Sequence, residues 1–68
     1  MKNTIKAERA KSRMTQQELA NKVRVSRQTI NYIETQRYVP SVIVALKIAA
    51  VFGQRLEHLF ILENEDWE

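Results

Sequence analysis

The chain has 68 residues, of which eleven are Lys or Arg and eight are Asp or Glu, so its formal net charge is +3. It contains no cysteine and a single histidine, which excludes disulfides and argues against a metal site. No apolar run approaches the roughly 20 residues of a membrane span, and the single glycine and single proline argue against an all-β fold. These totals predict a small, cytoplasmic, helical protein with no membrane association, no cofactor and no metal.

Charged residues are distributed unevenly along the chain. Nine of the eleven basic residues lie within residues 1–37, which contain only three acidic ones. Residues 63–68 carry four acids and no base. A basic half of this kind favours a polyanion such as nucleic acid, although a solvated surface would have the same composition.

The first helix is predicted over about residues 4–13. Asn3 or Thr4 can cap its start, and residues 1–3 are expected to be frayed. Ile5, Arg9 and Ala10 fall at helical spacing, so we expect them to lie on the inward side of this helix. A short connection that begins at Met14 then leads to the next helix.

Residues 15–34 predict two short helices joined by a tight turn. Thr15 and Glu18 form a capping-box pattern at the start of the first, and Ser26 is the expected cap of the second. Arg24 occupies the turn, at a position that favours a left-handed backbone. The expected buried residues of this pair are Leu19, Ala20, Val23, Ile30 and Ile33. Two helices joined in this way are the plan of a helix-turn-helix DNA reader.

Pro40 and Ser41 place the start of a fourth helix, predicted over about residues 42–52, and Gly53 supplies a left-handed stop. The expected buried stripe of this helix is Val42, Ala45, Leu46, Ala49 and Phe52. A short fifth helix is predicted from the apolar residues Leu56, Leu59 and Phe60.

The fourth helix has more apolar surface than one core face can use. The apolar residues outside its main stripe are Ile43, Val44, Ala50 and Val51. Such residues either form an interface or pack under the tail, where Leu62 or Trp67 would cover them. We expect a homodimer whose interface includes Val44, Val51, Ile61 and Leu62.

Several short motifs occur along the chain in the order and at the spacing that are typical of one protein family. They are Thr15-Gln-x-Glu-Leu-Ala, Val25-Ser-Arg-Gln-Thr-Ile, Ile33-Glu34, Pro40-Ser41, Ala45-Leu46-Lys-Ile-Ala and Leu59-Phe60. With them the chain resembles the Cro/XRE (phage-repressor) family of helix-turn-helix regulators over about residues 4–62. The resemblance implies an all-α, compact five-helix bundle of the lambda-repressor-like kind in residues 1–62, followed by an acidic tail in residues 63–68. It also implies sequence-specific binding to double-stranded DNA, usually as a homodimer on a near-palindromic operator.

The resemblance also assigns roles to individual residues. Ser26, Arg27 and Gln28 match the part of the recognition helix that enters the major groove, where Arg can pair with guanine and Gln with adenine. The residues expected to read bases are Arg27, Gln28, Tyr32, Thr29 and Asn31. The resemblance implies a phosphate contact for Gln16, and positions beside or within the helix-turn-helix add Ser26, Arg24, Arg37 and Arg13 as expected phosphate contacts. Arg9 and Glu34 match an ion pair that ties the first helix to the third in some members.

Three residues depart from the family's pattern. Arg13, Arg24 and Gln36 stand where many members have glycine, and a non-glycine residue in the left-handed region costs on the order of 1 kcal/mol. The domain is therefore expected to be less stable than a glycine-bearing relative, or its turns bend differently. Phosphate contacts of the two arginines would offset this cost in a DNA complex. Thr29 could support its helix instead of contacting a base, and Tyr32 could brace the next loop instead of contacting DNA.

Transcription regulation, and repression in particular, is the function that these observations favour. The sequence has no nucleophile–base–acid set, no metal-ligand spacing and no glycine-rich phosphate loop, so no catalysis is expected. One alternative is the antitoxin of a toxin–antitoxin pair, whose acidic tail with Trp67 would bind a toxin or other protein partner. Another is a protein-interaction module that does not bind DNA, which the basic recognition helix argues against.

Overall fold

The computed structural model describes residues 1–68 and contains five α-helices, as predicted. They are α1 (Ile5–Ser12), α2 (Gln16–Val23), α3 (Arg27–Glu34), α4 (Val42–Phe52) and α5 (Leu56–Leu59). Two short strands, β1 (Lys2–Asn3) and β2 (Phe60–Ile61), pair antiparallel, and Asn64–Trp67 form a 3-10 helix. The five-helix architecture is confirmed, with a two-stranded sheet that the all-α prediction did not include.

Side-chain caps begin three helices where the sequence predicted them. Thr15 Oγ1 accepts a hydrogen bond from the Glu18 amide at 3.0 Å, and Glu18 Oε1 accepts one from the Thr15 amide at 3.0 Å. The hydroxyls of Ser26 and Ser41 each accept from the backbone N–H three residues later. These bonds satisfy amides that no helix carbonyl can reach, so they fix where α2, α3 and α4 begin.

The capping box is expected to make α2 sensitive to acid. Hydrogen bonds from the backbone N–H and the hydroxyl of Thr15 lower the pKa of Glu18 below its ordinary value of 4.5. A carboxylate with a lowered folded-state pKa stabilises the fold above its unfolded pKa, and this contribution is lost as pH falls through the folded pKa. We therefore expect the melting temperature of Glu18→Gln to fall less steeply than that of the wild type between about pH 5 and pH 3.

Thermal melts followed by circular dichroism measure this slope. Glu57→Gln is the matched control, because the exposed Glu57 carboxylate in α5 accepts no side-chain hydrogen bond and forms no ion pair. Equal slopes for Glu18→Gln and the wild type would show that the capping box is not responsible for the acid sensitivity.

Four residues adopt a left-handed backbone, and three of them are not glycine. Arg13 (φ 52°) ends α1, Arg24 (φ 60°) ends α2 and Gln36 (φ 63°) lies beyond α3, whereas Gly53 (φ 61°) ends α4 as predicted. The turns therefore keep the left-handed conformation without glycine, and each non-glycine residue carries a strain on the order of 1 kcal/mol. The alternative, in which these turns bend differently, is wrong.

The core lies between the helices, with contributions from all five. α2 packs against both α3 and α4, and α4 also contacts α5. The large side chains that are fully buried are Ile5, Leu19, Val23, Ile30, Ile33, Ile48 and Leu59. The core residues predicted for α2 and α3 are confirmed, because all five are at most 1% exposed.

The rotation of α4 about its axis differs from the prediction. Val42 and Leu46, predicted to be buried, are 71% and 52% exposed. Ile48, which the predicted stripe omitted, is fully buried. Lys47 is the only charged residue of α4, so the sequence of this helix does not distinguish its inward face. Packing against α2 and α5 decides the rotation instead.

The inward side of α1 also differs from the prediction. Ile5 is fully buried, but Ala10 is exposed. Glu8 is buried in its place, with its carboxylate 3.2 Å from Lys11 Nζ and 3.6 Å from His58 Nε2. A carboxylate can occupy this side of α1 because the lysine ammonium compensates its charge.

Residues 1–3 are not frayed, contrary to the prediction. β1 is held by β2, and Asn3 Nδ2 donates to the Ile33 carbonyl at 2.9 Å. The Met1 ammonium lies 3.1 Å from Asp66 and 3.2 Å from Glu63, and hydrogen bonding, to Asp66 above all, raises the pKa of the ammonium. The acidic tail therefore packs beside β1. The sequence could not show this because the contacting residues lie far apart along the chain.

Candidate nucleic-acid interface

α3 turns an apolar side to the core and a polar side to solvent. Ile30 and Ile33 are 0% and 1% exposed and belong to the core cluster. The side chains of α3 that lie outside the core, in addition to Glu34, are Arg27, Gln28, Thr29, Asn31 and Tyr32. Arg27 and Gln28 are exposed and the other three are half-buried. All five residues predicted to read bases are therefore on α3, and two of them are freely accessible.

An ion pair fastens α3 to α1. Arg9 Nε donates to Glu34 Oε2 at 2.6 Å, and Arg9 Nη2 donates to Glu34 Oε1 at 3.0 Å. Arg9 Nη1 donates to the Met14 carbonyl at 2.9 Å. The side chains of the pair are 14% and 5% exposed, and hydrogen bonding to Glu34 raises the pKa of Arg9. One guanidinium thus holds the end of α3 and the connection between α1 and α2.

Gln16, the first residue of α2, extends this network along α3. Its Nε2 donates to Asn31 Oδ1 at 3.2 Å and to Glu34 Oε1 at 3.1 Å. Its Oε1 accepts from Arg27 Nη1 at 3.4 Å. Both amide hydrogens of Gln16 are therefore used inside the protein, and the side chain links α2 to three residues of α3. Sequence reasoning missed these contacts because they join residues 11–18 positions apart.

Two further contacts lie along α3 itself. Gln28 Nε2 donates to the Tyr32 hydroxyl at 2.7 Å, across one helical turn. The Thr29 hydroxyl lies 2.8 Å from the Ser26 hydroxyl, which also accepts from the Thr29 amide. Thr29 therefore supports the start of α3. The contact between Gln28 and Tyr32 could have been predicted from the sequence, because residues four apart are neighbours on the surface of a helix.

The arginines predicted to contact phosphates lie at the helix ends. Arg13 ends α1, Arg24 ends α2 and Arg37 lies in the loop after α3. All three are exposed, and none forms an ion pair or donates a side-chain hydrogen bond within the protein. Their charges are therefore free to act on an external anion.

Other kinds of site find little support in the structure. No group of three or more His, Cys, Asp or Glu side chains could hold a metal ion. None of the helices combines the length and the apolar character that crossing a bilayer requires. The single open groove, of about 310 Å³, is lined by Lys2, Ile61, Leu62, Glu63, Asn64 and Glu65. No residue of α2 or α3 belongs to this groove.

α2, the three-residue turn 24–26 and the exposed polar side of α3 define a helix-turn-helix protein. A family model described as Helix-turn-helix matches residues 5–59. An uncharacterised HTH-type transcriptional regulator of Archaeoglobus fulgidus is 50% identical over 66 residues, which cover 97% of this chain and 94% of the relative. A regulator of the same description from Methanocaldococcus jannaschii is 48% identical, and YgzD of Bacillus subtilis is 44% identical. Each of these two matches covers 97% of this chain and 100% of the relative. The chain belongs to the Cro/XRE-type helix-turn-helix family of transcriptional regulators.

Proposed function

We propose that the protein is a sequence-specific transcription repressor that binds a near-palindromic operator as a homodimer. The observation that carries the proposal is the rigid mounting of α3, whose exposed Arg27 and Gln28 stand on a helix tied to α1 and α2. Arg9, Glu34 and Gln16 form these ties through hydrogen bonds of 2.6–3.1 Å. A fixed helix can present its side chains to base edges without first becoming ordered.

α3 supplies the base contacts in this proposal. Arg27 can donate two hydrogen bonds to O6 and N7 of guanine, and Gln28 can pair with N6 and N7 of adenine. The Tyr32 hydroxyl lies beside Gln28, one turn further along α3. Asn31 uses its Oδ1 to hold Gln16, so only its amide N–H groups remain for DNA. Thr29 is the weakest reader, because its hydroxyl is already hydrogen-bonded to the hydroxyl of Ser26.

Phosphate contacts hold the two protomers on the duplex. We assign them to the side chains of Arg13, Arg24 and Arg37, which have no acidic partner in the protein. We also assign one to Ser26, which can donate its O–H to a phosphate while its oxygen accepts from Thr29. Gln16 contributes its backbone N–H, because its side-chain amide is already occupied and its position at the start of α2 leaves this N–H unpaired.

A second copy would bring two recognition helices to one face of DNA, about 34 Å apart. Ile61 and Leu62 are 44% and 55% exposed beside the core, and an 8.0 kDa domain gains stability by covering such residues. Val44 and Val51 lie seven residues apart on the same side of α4 and are half-buried. We assign these four residues to the dimer interface. A dimer that covers an operator represses by excluding other proteins from the same DNA.

Selection of bound sites from a random DNA pool tests this function. The expected result is an inverted repeat with half-sites about 10 base pairs apart, centre to centre. Gln28→Ala should relax the preference at one base pair per half-site by about 1–3 kcal/mol, because it removes a bidentate contact. Gln54→Ala, outside the helix-turn-helix, is the matched control. A pool in which no sequence is enriched would refute sequence-specific binding.

Arg24→Gly separates backbone strain from DNA contact. Glycine relieves the left-handed strain at φ 60°, so we expect a gain of about 1 kcal/mol and a melting temperature about 4–8 °C higher. Loss of one phosphate contact per protomer should reduce the slope of log affinity against log salt by about 0.9 per protomer. Gln36→Gly is the matched control, because it relieves strain at φ 63° without removing a charge. An unchanged salt slope for Arg24→Gly would refute its phosphate contact.

A further inference from the structure

We infer that Tyr32 is a positioning residue for Gln28, and that the two side chains together select adenine; this inference rests on the proposed function. The two residues occupy successive turns of α3, and Gln28 Nε2 donates to the Tyr32 hydroxyl at 2.7 Å. Neither side chain makes another hydrogen bond within the protein. Gln28 is exposed to solvent, whereas Tyr32 is half-buried.

The hydrogen-bond inventory of this pair matches adenine. A glutamine amide has two N–H donors and one carbonyl acceptor. One N–H of Gln28 is donated to Tyr32, which leaves one N–H and Oε1. Adenine offers an acceptor at N7 and a donor at N6, and therefore satisfies both remaining groups. Guanine offers acceptors at both N7 and O6, which would leave Oε1 facing another acceptor.

The tyrosine hydroxyl fixes which end of the amide faces it once its own proton is donated elsewhere. A phenol can donate one hydrogen bond and accept others. If its O–H donates to a phosphate oxygen, its oxygen can only accept, and Gln28 must then present an N–H to it. Rotation of the amide by 180° would break this bond. An amide fixed in this way also loses less side-chain entropy on binding than a free one does.

Tyr32→Phe tests the inference, because it removes the hydroxyl and keeps the ring. The base pair read by Gln28 is first identified as the one whose preference is lost in Gln28→Ala. Dissociation constants are then measured for the selected site and its three single substitutions at that base pair. We expect Tyr32→Phe to reduce the preference for adenine there by roughly three- to tenfold, the effect of one hydrogen bond. In the Gln28→Ala background, Tyr32→Phe should not change that preference further.

Tyr38→Phe is the matched control, since Tyr38 is 50% exposed in the next loop and its hydroxyl has no partner. Equal weakening of all four sequences by Tyr32→Phe would reduce Tyr32 to a phosphate contact and overturn the inference. A preference lost at a different base pair would make Tyr32 an independent reader and also overturn it. If the wild type selects a sequence without adenine at the Gln28 base pair, this inference fails while the proposed function stands. If no sequence is selected, the proposed function fails and the inference with it.

Discussion

Arg9→Ala is expected to remove about 3–5 kcal/mol from the free energy of unfolding, because it leaves a nearly buried carboxylate without its cation. Glu34 is 5% exposed in its side chain, and after the substitution only Gln16 would still donate to it from another side chain. The Met14 carbonyl would lose its guanidinium donor as well. A domain of 68 residues has a total stability of roughly 3–10 kcal/mol. The melting temperature should therefore fall by at least about 12 °C.

Thermal and urea melts of Arg9→Ala measure this loss. Lys6→Ala is the matched control, because it removes one positive charge from α1 at an exposed residue that forms no ion pair. Its melting temperature should change little. The double variant Arg9→Ala/Glu34→Ala should lose less stability than the sum of the two single variants, since it leaves no unpaired charge. A variant Arg9→Ala that melts like the wild type would show that the ion pair contributes nothing.

DNA binding separates a structural role of Arg9 from a contact role. Arg9 donates to Glu34 and Met14 and is directed into the protein. We therefore expect Arg9→Ala to bind the operator with nearly wild-type affinity at a low temperature where it is still folded. Its binding should disappear on warming together with its helical signal. Lost affinity in a fully folded variant would instead place Arg9 at the DNA.

Most of the local structure could be predicted from short sequence signals. Thr15 with Glu18, and the two serines at 26 and 41, each lie within three residues of the amide that they cap. Gly53 likewise supplies the left-handed stop at its own residue. Such signals act between neighbours in the chain, so they can be read without the tertiary structure. The element order of the helix-turn-helix follows from them.

Packing was harder to predict, because it depends on residues distant in the chain. The apolar residues of α4 are spread around the helix, and the predicted inward face was wrong at Val42 and Leu46. The pairing of β1 with β2 joins residues almost 60 positions apart, and strands of two residues are too short to show an alternating sequence pattern. The contacts of Gln16 with Asn31 and Glu34 likewise depend on how α2 crosses α3.

These long-range contacts also change how the candidate site is understood. From the sequence, Gln16 was a phosphate contact and Arg9 with Glu34 a separate structural pair. In the structure Glu34 accepts from both Arg9 and Gln16, and Gln16 accepts from Arg27. Arg27, which we propose to read a base, is thereby connected to the pair that fastens α3 to α1. Gln16 joins the two parts of this network, so a substitution there should affect both stability and recognition, whereas Arg9 acts on stability alone.

Leu62→Asp is expected to lower the affinity for the full operator by about 10²–10⁴-fold, because it separates the two protomers. Leu62 is 55% exposed and follows β2, so the substitution puts a charge in the proposed interface without disturbing the core. A separated protomer binds one half-site alone and loses the gain from a linked second site. Sedimentation at micromolar concentration should show the wild type at twice the mass of one chain and Leu62→Asp at one.

The charge of the new aspartate must be distinguished from loss of the dimer. Val42→Asp is the matched control: Val42 is 71% exposed, lies outside the proposed interface and would receive the same charge. Both variants should bind an isolated half-site like the wild type, whereas only Leu62→Asp should lose the advantage of the full operator. Equal losses in the two variants would attribute the effect to repulsion from phosphates. A wild type that sediments as a monomer with and without operator DNA would refute the dimer, and the two half-sites would then be bound independently.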